Sequence, residues 1–199
     1  MPDEMLRTFI AIELSEPLAA AIGRVQAQLK RGMPPRGVKW AATEGIHLTL
    51  KFLGETPRSR IPEIVAALKV VCAGFPAFEF TVEGRGCFHN FRRPRVIWVA
   101  VREPSQTLGR VQAAIEEQIA ALGWPTEARP FSPHLTLGRV ARSADRPTEA
   151  AIGQAVERAV VERIGVQRVT AVSLVQSDLR PTGAVYTVLA RAMLAAQPS

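Results

Sequence analysis

His47-Leu48-Thr49-Leu50 and His134-Leu135-Thr136-Leu137 are the same tetrapeptide, and they hold two of the three histidines in the chain. One neutral and one protonated imidazole on either side of a phosphate form a general base and a general acid. The base takes a proton from an attacking water or hydroxyl, and the acid returns one to the departing oxygen. Histidine suits both tasks because its unperturbed pKa lies near 6.5. Threonine hydroxyls two residues further on can donate to the non-bridging oxygens where negative charge accumulates. None of these steps calls for a metal, and the sequence offers no HExxH or CxxC spacing to hold one. The expectation is therefore no metal and no cofactor.

Such a device works only if the two tetrapeptides lie face to face. Each sits in an apolar stretch of strand character, IHLTLKFLG at 46–54 and PHLTLGRV at 133–140. Side chains alternate along a strand, so His47, Thr49 and Lys51 are expected on one face and Leu48, Leu50 and Phe52 on the other. The same rule sets His134 and Thr136 opposite Leu135 and Leu137. The leucine faces would pack under helices, leaving the histidine faces for a cleft.

The surrounding elements repeat in order. TFIAIEL (8–14) reads as a strand, followed by a helix to about residue 32 with Ser15 as N-cap and Pro17 in its first turn. Leu18, Ile22, Val25 and Leu29 recur in it at helical spacing. After the loop at 33–37 and the first HLTL strand comes a helix over 61–72. Strands over 77–84 and 95–101 follow, joined by the basic stretch GRGCFHNFRRP. The second half gives a helix near 105–122, the second HLTL strand, a helix near 148–163, and strands near 168–177 and 184–193. At an offset of 87, Ile10 falls on Ile97, Glu16-Pro17 on Glu103-Pro104, and His47 on His134; GRVQA at 23–27 returns at 109–113, one residue out of step. Two interleaved copies without a linker predict one bilobal domain over residues 1–199. Its fold class is α+β, a pseudo-symmetric pair of antiparallel sheets forming a central cleft, with helices on the outer faces.

Composition limits the partners. The net charge of +7 favours a polyanion, since each cation placed near a phosphate releases condensed counterions. Two cysteines, Cys72 and Cys87, are too few for a disulfide framework and read as free thiols. The first residues lack a signal-peptide pattern, and no segment reaches the roughly 20 apolar residues that span a bilayer. A cytoplasmic protein with no membrane partner is expected, and a monomer, because one chain carries both histidines.

The paired motifs resemble those of the two-histidine phosphoesterases. RTFIAIELSEP, HLTLKFLGE, RPRVIWVAV and ARPFSPHLTLGR, in that order, are similar to one branch: the bacterial and archaeal RNA 2',3'-cyclic phosphodiesterases, also called 2'-5' RNA ligases. The resemblance covers nearly the whole chain. It implies hydrolysis of a 2',3'-cyclic phosphate at an RNA end, tRNA fragments among the candidates, to a 2'-phosphomonoester. It also implies His47 as proton donor, His134 as proton acceptor, and Thr49 and Thr136 as phosphate-binding residues. Reversible joining of RNA ends through a 2'-5' linkage would use the same pair.

Beyond the motifs, Lys51, Arg129 and Phe131 are candidate RNA contacts. Arg85, Arg92, Arg93 and Arg95 are candidates for a basic rim, with His89 as a turn residue. Tyr186, after the PTG at 181–183, and Trp98 read as core. Two alternatives stay open: an esterase of the same superfamily acting on 2'-5' oligonucleotides or nucleotide cyclic phosphates, and an RNA-binding module without catalysis.

Overall fold

Two antiparallel sheets carry the chain, and in each the HLTL strand lies against the strand that opens its repeat. The computed structural model describes residues 3–180 and 183–196. The first sheet holds β1 (Met5–Glu13), β3 (His47–Pro57), β8 (Ala171–Arg180) and β9 (Gly183–Met193), in the order β3-β1-β8-β9. The second holds β2 (Val38–Trp40), β4 (Phe78–Asn90), β5 (Arg93–Arg102), β6 (His134–Val140) and β7 (Arg163–Val169), in the order β2-β6-β5-β4-β7. With β2 set aside as an added edge strand, the two orders correspond: β3, β1, β8 and β9 match β6, β5, β4 and β7. The sheets approach each other through β3 and β6.

The helices cross over between the copies. α1 (Glu16–Arg31) packs against β7, and α4 (Arg146–Arg158) against β4 and β5, so both cover the second sheet. α2 (Ile61–Ala73) packs against β8 and β9, and α3 (Thr107–Ala121) against β3, so both cover the first. Each copy thus contributes the strand that opens its repeat to one sheet and the helix that follows to the other. The apolar stripe of α1 is buried as its spacing predicts, with Leu18, Ile22 and Leu29 in the core and Val25 packed at its edge. Leu48, Leu50, Leu135 and Leu137 are all buried on the helix-covered faces.

Several boundaries differ from expectation. The strand expected over 168–177 is two strands, because the chain passes from the second sheet to the first at Thr170. The helix expected to run to residue 163 stops at Arg158, where Ala159 turns extended, and the β-branched run beyond it forms β7. The strands flanking the basic hairpin at 84–94 run further into it than expected, since β4 and β5 pair as far as Asn90 and Arg93. Ser15 occupies the N-cap of α1, but its hydroxyl makes no capping bond; its main-chain N–H donates to Gln167 Oε1 at 2.8 Å. Pro181 and Thr182 of the PTG turn lie outside the described residues. Cys72 and Cys87 are free, buried thiols, each pushed up to about 11 by burial and so unreactive at neutral pH. No helix among the described residues is long and apolar enough to cross a membrane.

Candidate active site

Each HLTL strand contains a β-bulge at the last leucine of the motif. On β1, Ala11 faces Thr49 but Ile10 faces Lys51, leaving Leu50 as the extra residue. On β5, Trp98 faces Thr136 but Ile97 faces Gly138, leaving Leu137 extra. A bulge inserts one residue and reverses the alternation beyond it, which re-aims the following side chains. His47 and Thr49 therefore share a face with Phe52, and His134 and Thr136 share theirs with Arg139. Strict alternation placed Lys51 with His47 and Phe52 with the leucines, and the bulge exchanges them: Lys51 is 4% exposed and Phe52 65% exposed.

The two imidazoles are held identically. His47 Nδ1 lies 2.8 Å from the carbonyl oxygen of Gly45, and His134 Nδ1 lies 2.7 Å from that of Ser132, two residues back in each case. A carbonyl only accepts, so Nδ1 carries the hydrogen and Nε2 is the nitrogen available to a ligand. Burial lowers the pKa of His47, partly offset by the bond to Gly45. It also lowers that of His134, where the charge of Arg139 adds to the effect against the bond to Ser132. A phosphate between them would act in the opposite direction.

Aromatic rings line both walls, and the sequence reading missed most of them. Phe9 stacks on His47 at 4.5 Å between centroids, and Tyr186 meets His47 edge-on at 5.0 Å. Phe52 stands 6.2 Å from Phe9. Across the cleft, Phe88 meets His134 edge-on at 4.8 Å, and the Trp98 ring lies 6.3 Å from the same imidazole. The core placements expected for Tyr186 and Trp98 are thus corrected: Tyr186 is 40% exposed and Trp98 half-buried, both beside a motif histidine. Gly86 makes room for the indole, since a Cβ there would sit 2.2 Å from the Trp98 ring. The Trp98 indole N–H is buried with no hydrogen-bond partner among the described residues.

Lys51 is not available as an RNA contact. Its ammonium bonds Glu116 Oε2 at 2.5 Å and the Pro125 carbonyl at 2.8 Å. Glu116 in turn accepts from Glu127 N at 3.3 Å, so β3 is tied to the segment leading into the second motif. The mirror tie comes from Gln26, 3% exposed, whose Nε2 donates to Ala41 O at 2.8 Å and Leu137 O at 3.0 Å. It joins β6 to the segment leading into the first motif. Gln112, the counterpart of Gln26 in the second GRVQA, reaches Leu50 O at 3.4 Å. The repeated pentapeptide thus serves to fix the bulges, each helix reaching the motif strand of the other copy.

Arg129 and Phe131 are not brought against the histidines. Arg129 is exposed and pairs with Glu127 at 3.2 Å, and Phe131 is half-buried against the core; both line an open groove beside α3. Arg85 donates to the carbonyls of Val156 and Glu157, and Arg95 pairs with Glu149 at 2.7 Å, which leaves neither as a free rim cation. No group of three or more His, Cys, Asp or Glu is placed to hold a metal ion among the described residues. The residue of the second wall that sequence reasoning missed most plainly is Arg139, the counterpart of Phe52 at the 87-residue offset.

A duplicated α+β fold with one HxTx histidine on each wall defines a phosphoesterase, and the chain belongs to the LigT-like phosphoesterase family, whose profile matches it twice, over residues 12–98 and 99–186. The two matches begin 87 residues apart, the offset read from the repeats. Among its relatives, the RNA 2',3'-cyclic phosphodiesterase of Thermotoga maritima is 36% identical over 185 residues, covering 92% of this chain and 93% of the relative. The protein of that name from Methanothermobacter thermautotrophicus is 32% identical over 182 residues, covering 92% and 95%. Among solved structures, a Thermus thermophilus protein superimposes with a TM-score of 0.78 at 29% identity, over 96% of this chain and all of the other. E. coli LigT in complex with 3'-AMP gives 0.72 at 27% identity, over 96% and 99%.

Proposed function

We propose that this protein hydrolyses the 2',3'-cyclic phosphate at an RNA end to a 2'-phosphomonoester. The observation that carries the reading is the matched pair of histidines, each pinned through Nδ1 to a main-chain carbonyl so that Nε2 is free. His134 takes a proton from water as it attacks phosphorus, and His47 protonates the departing 3' oxygen. Thr49 and Thr136 donate to the non-bridging oxygens. Arg139 breaks the symmetry between the imidazoles: its charge adds to burial in lowering the pKa of His134, whereas at His47 the lowering comes from burial. The roles of His134 as base and His47 as acid follow the family pattern, and the cation beside His134 is compatible with its being neutral when water attacks. The names of the relatives supply the substrate class.

With a 5' hydroxyl in place of water, the same two proton transfers would join RNA ends through a 2'-5' linkage. One chain supplies both histidines, so a monomer suffices. The deciding experiment is product identification from an RNA ending in a 2',3'-cyclic phosphate, incubated with the protein in EDTA. A 2'-phosphate end is expected. A 3'-phosphate end, or turnover abolished by EDTA, overturns the reading.

A further inference from the structure

The strand ends farthest from His134 in the second sheet bring arginines together. β2 pairs with β6 through Val38 and Val140, and Ala141 N donates to Gly37 O at 2.9 Å, so one more step sets Arg36 beside Arg142. On the other side of β6, Val96 of β5 pairs with Arg139, and three further steps set Arg93 beside the same Arg142. Neighbouring strands lie about 4.8 Å apart, so three cations in such a row repel one another unless anions lie among them. All three residues are exposed, and none of their side chains has a hydrogen bond or ion pair among the described residues. The nearby carboxylates are already engaged: Glu149 by Arg95 at 2.7 Å, and Asp145 by the N–H of Thr148 at 3.0 Å. Exposed Arg146, one turn before Glu149 in α4, adds a further cation. The hairpin that carries Arg93 is fixed here, by Arg95 on Glu149 and by the Phe91 carbonyl against Gly153, where a Cβ would come within 1.7 Å. Arg36 holds a φ of 59°, a conformation natural to glycine and strained for arginine.

We propose that Arg36, Arg93 and Arg142 form a distal grip for the phosphodiester backbone of the RNA whose cyclic end lies between His47 and His134. This rests on the functional reading given above and adds a dependence on length to it. From His134 to Arg142 the chain advances by eight residues, roughly 25 Å if extended. A stacked strand carries one phosphate per roughly 3.4 Å, so the row is reached about seven nucleotides from the reacting end. A dinucleotide ends well short of it. A longer RNA sets its phosphates among the three arginines, releases counterions and gains affinity with no change at the reacting atoms. Contacts of this kind carry no sequence information. The grip therefore selects RNA by length and not by its terminal nucleotide.

The test compares the wild type, Arg93→Gln/Arg142→Gln and Arg93→Lys/Arg142→Lys on a dinucleotide and on a twelve-nucleotide single-stranded RNA, both ending in a 2',3'-cyclic phosphate. In the glutamine variant kcat/KM for the long RNA should fall about tenfold, and its dependence on log salt should weaken by about 1.4, or about 0.7 for each lost phosphate contact. Turnover of the dinucleotide should match the wild type. The lysine variant should restore the long RNA. Unchanged kcat/KM and salt slope on the long RNA overturn the grip, and an equal loss on both substrates overturns its distal position. Should the wild type turn over neither RNA, the functional reading fails, and the grip is judged on binding alone. The probe is then a fluorescein-labelled twelve-nucleotide RNA with a 2'-phosphate end, read by anisotropy: weaker binding and a smaller salt slope in the glutamine variant support it, and unchanged binding overturns it.

Discussion

Phe52 and Arg139 stand at equivalent positions, five residues after His47 and His134, and a bulge turns each onto the face of its histidine. The cleft is therefore built from two copies of one frame that carry different chemistry at its ends: a ring on one wall, a guanidinium on the other. On the proposed reading the two histidines have separate tasks, and the difference between the walls can be tested through the pH dependence of turnover.

Burial is the main cause that lowers the pKa of His134, and Arg139→Gln removes the cation that adds to it. If His134 is the base, the rising limb of kcat/KM against pH moves to higher pH, while the falling limb, set by the acid, moves less. A pH profile on a cyclic-phosphate RNA measures both limbs in one experiment. Movement of the falling limb alone would assign the base to His47.

His47→Ala and His134→Ala should each lower kcat/KM by roughly 100- to 10,000-fold, the range ascribed to positioned proton transfer. RNA affinity should change far less. Single-turnover rates and equilibrium binding separate the two effects, and a variant that keeps the wild-type rate removes its histidine from the mechanism.

Lys51→Met leaves the partly buried Glu116 without its cation and should destabilise the protein by about 3 kcal/mol, the low end of the range for a broken buried pair. Lys51→Met combined with Glu116→Leu should recover most of that loss, because an apolar pair of similar volume replaces both charges. Urea unfolding of the two variants measures the difference. Equal destabilisation in both would mean that the ion pair is not what holds β3 to the segment at 125–127.

Both motif histidines are more easily protonated unfolded than folded, since burial lowers the pKa of each in the folded protein. Their contribution to stability is complete above the unfolded value near 6.5 and is lost as the pH falls through the depressed folded values. Thermal unfolding between about pH 5 and pH 7.5 should show this decline in the wild type. His47→Gln/His134→Gln should flatten it.

Much of the site was legible in the chain because repetition is visible without geometry. Two identical tetrapeptides at one offset were enough to place His47, Thr49, His134 and Thr136 on facing strands and their leucines beneath helices. Lys51 was misplaced because a bulge leaves no mark in residue types: LTLKF alternates well as a plain strand. Tyr186 and Trp98 were read as core because a large ring beside apolar neighbours fits a buried strand equally well. Only the register of β9 over β8, and the bare backbone of Gly86 beneath the indole, bring them to the cleft. The role of GRVQA was hidden for another reason. The repeat itself was plain, but its glutamine serves the motif strand of the other copy, a relation that spacing within one copy cannot express.

That crossing of helices between the copies bears on how such a chain could have arisen. A polypeptide of a single repeat would hold strands belonging to two different sheets, and its first helix would cover the sheet that its opening strand does not join. It would bury these elements only by pairing with a second molecule of itself, each lending its helix to the other and each supplying one histidine to a shared cleft. In that ancestor the two imidazoles would be equivalent by symmetry. With both halves in one chain, position 52 can be Phe while position 139 is Arg, so the two walls of one cleft can differ.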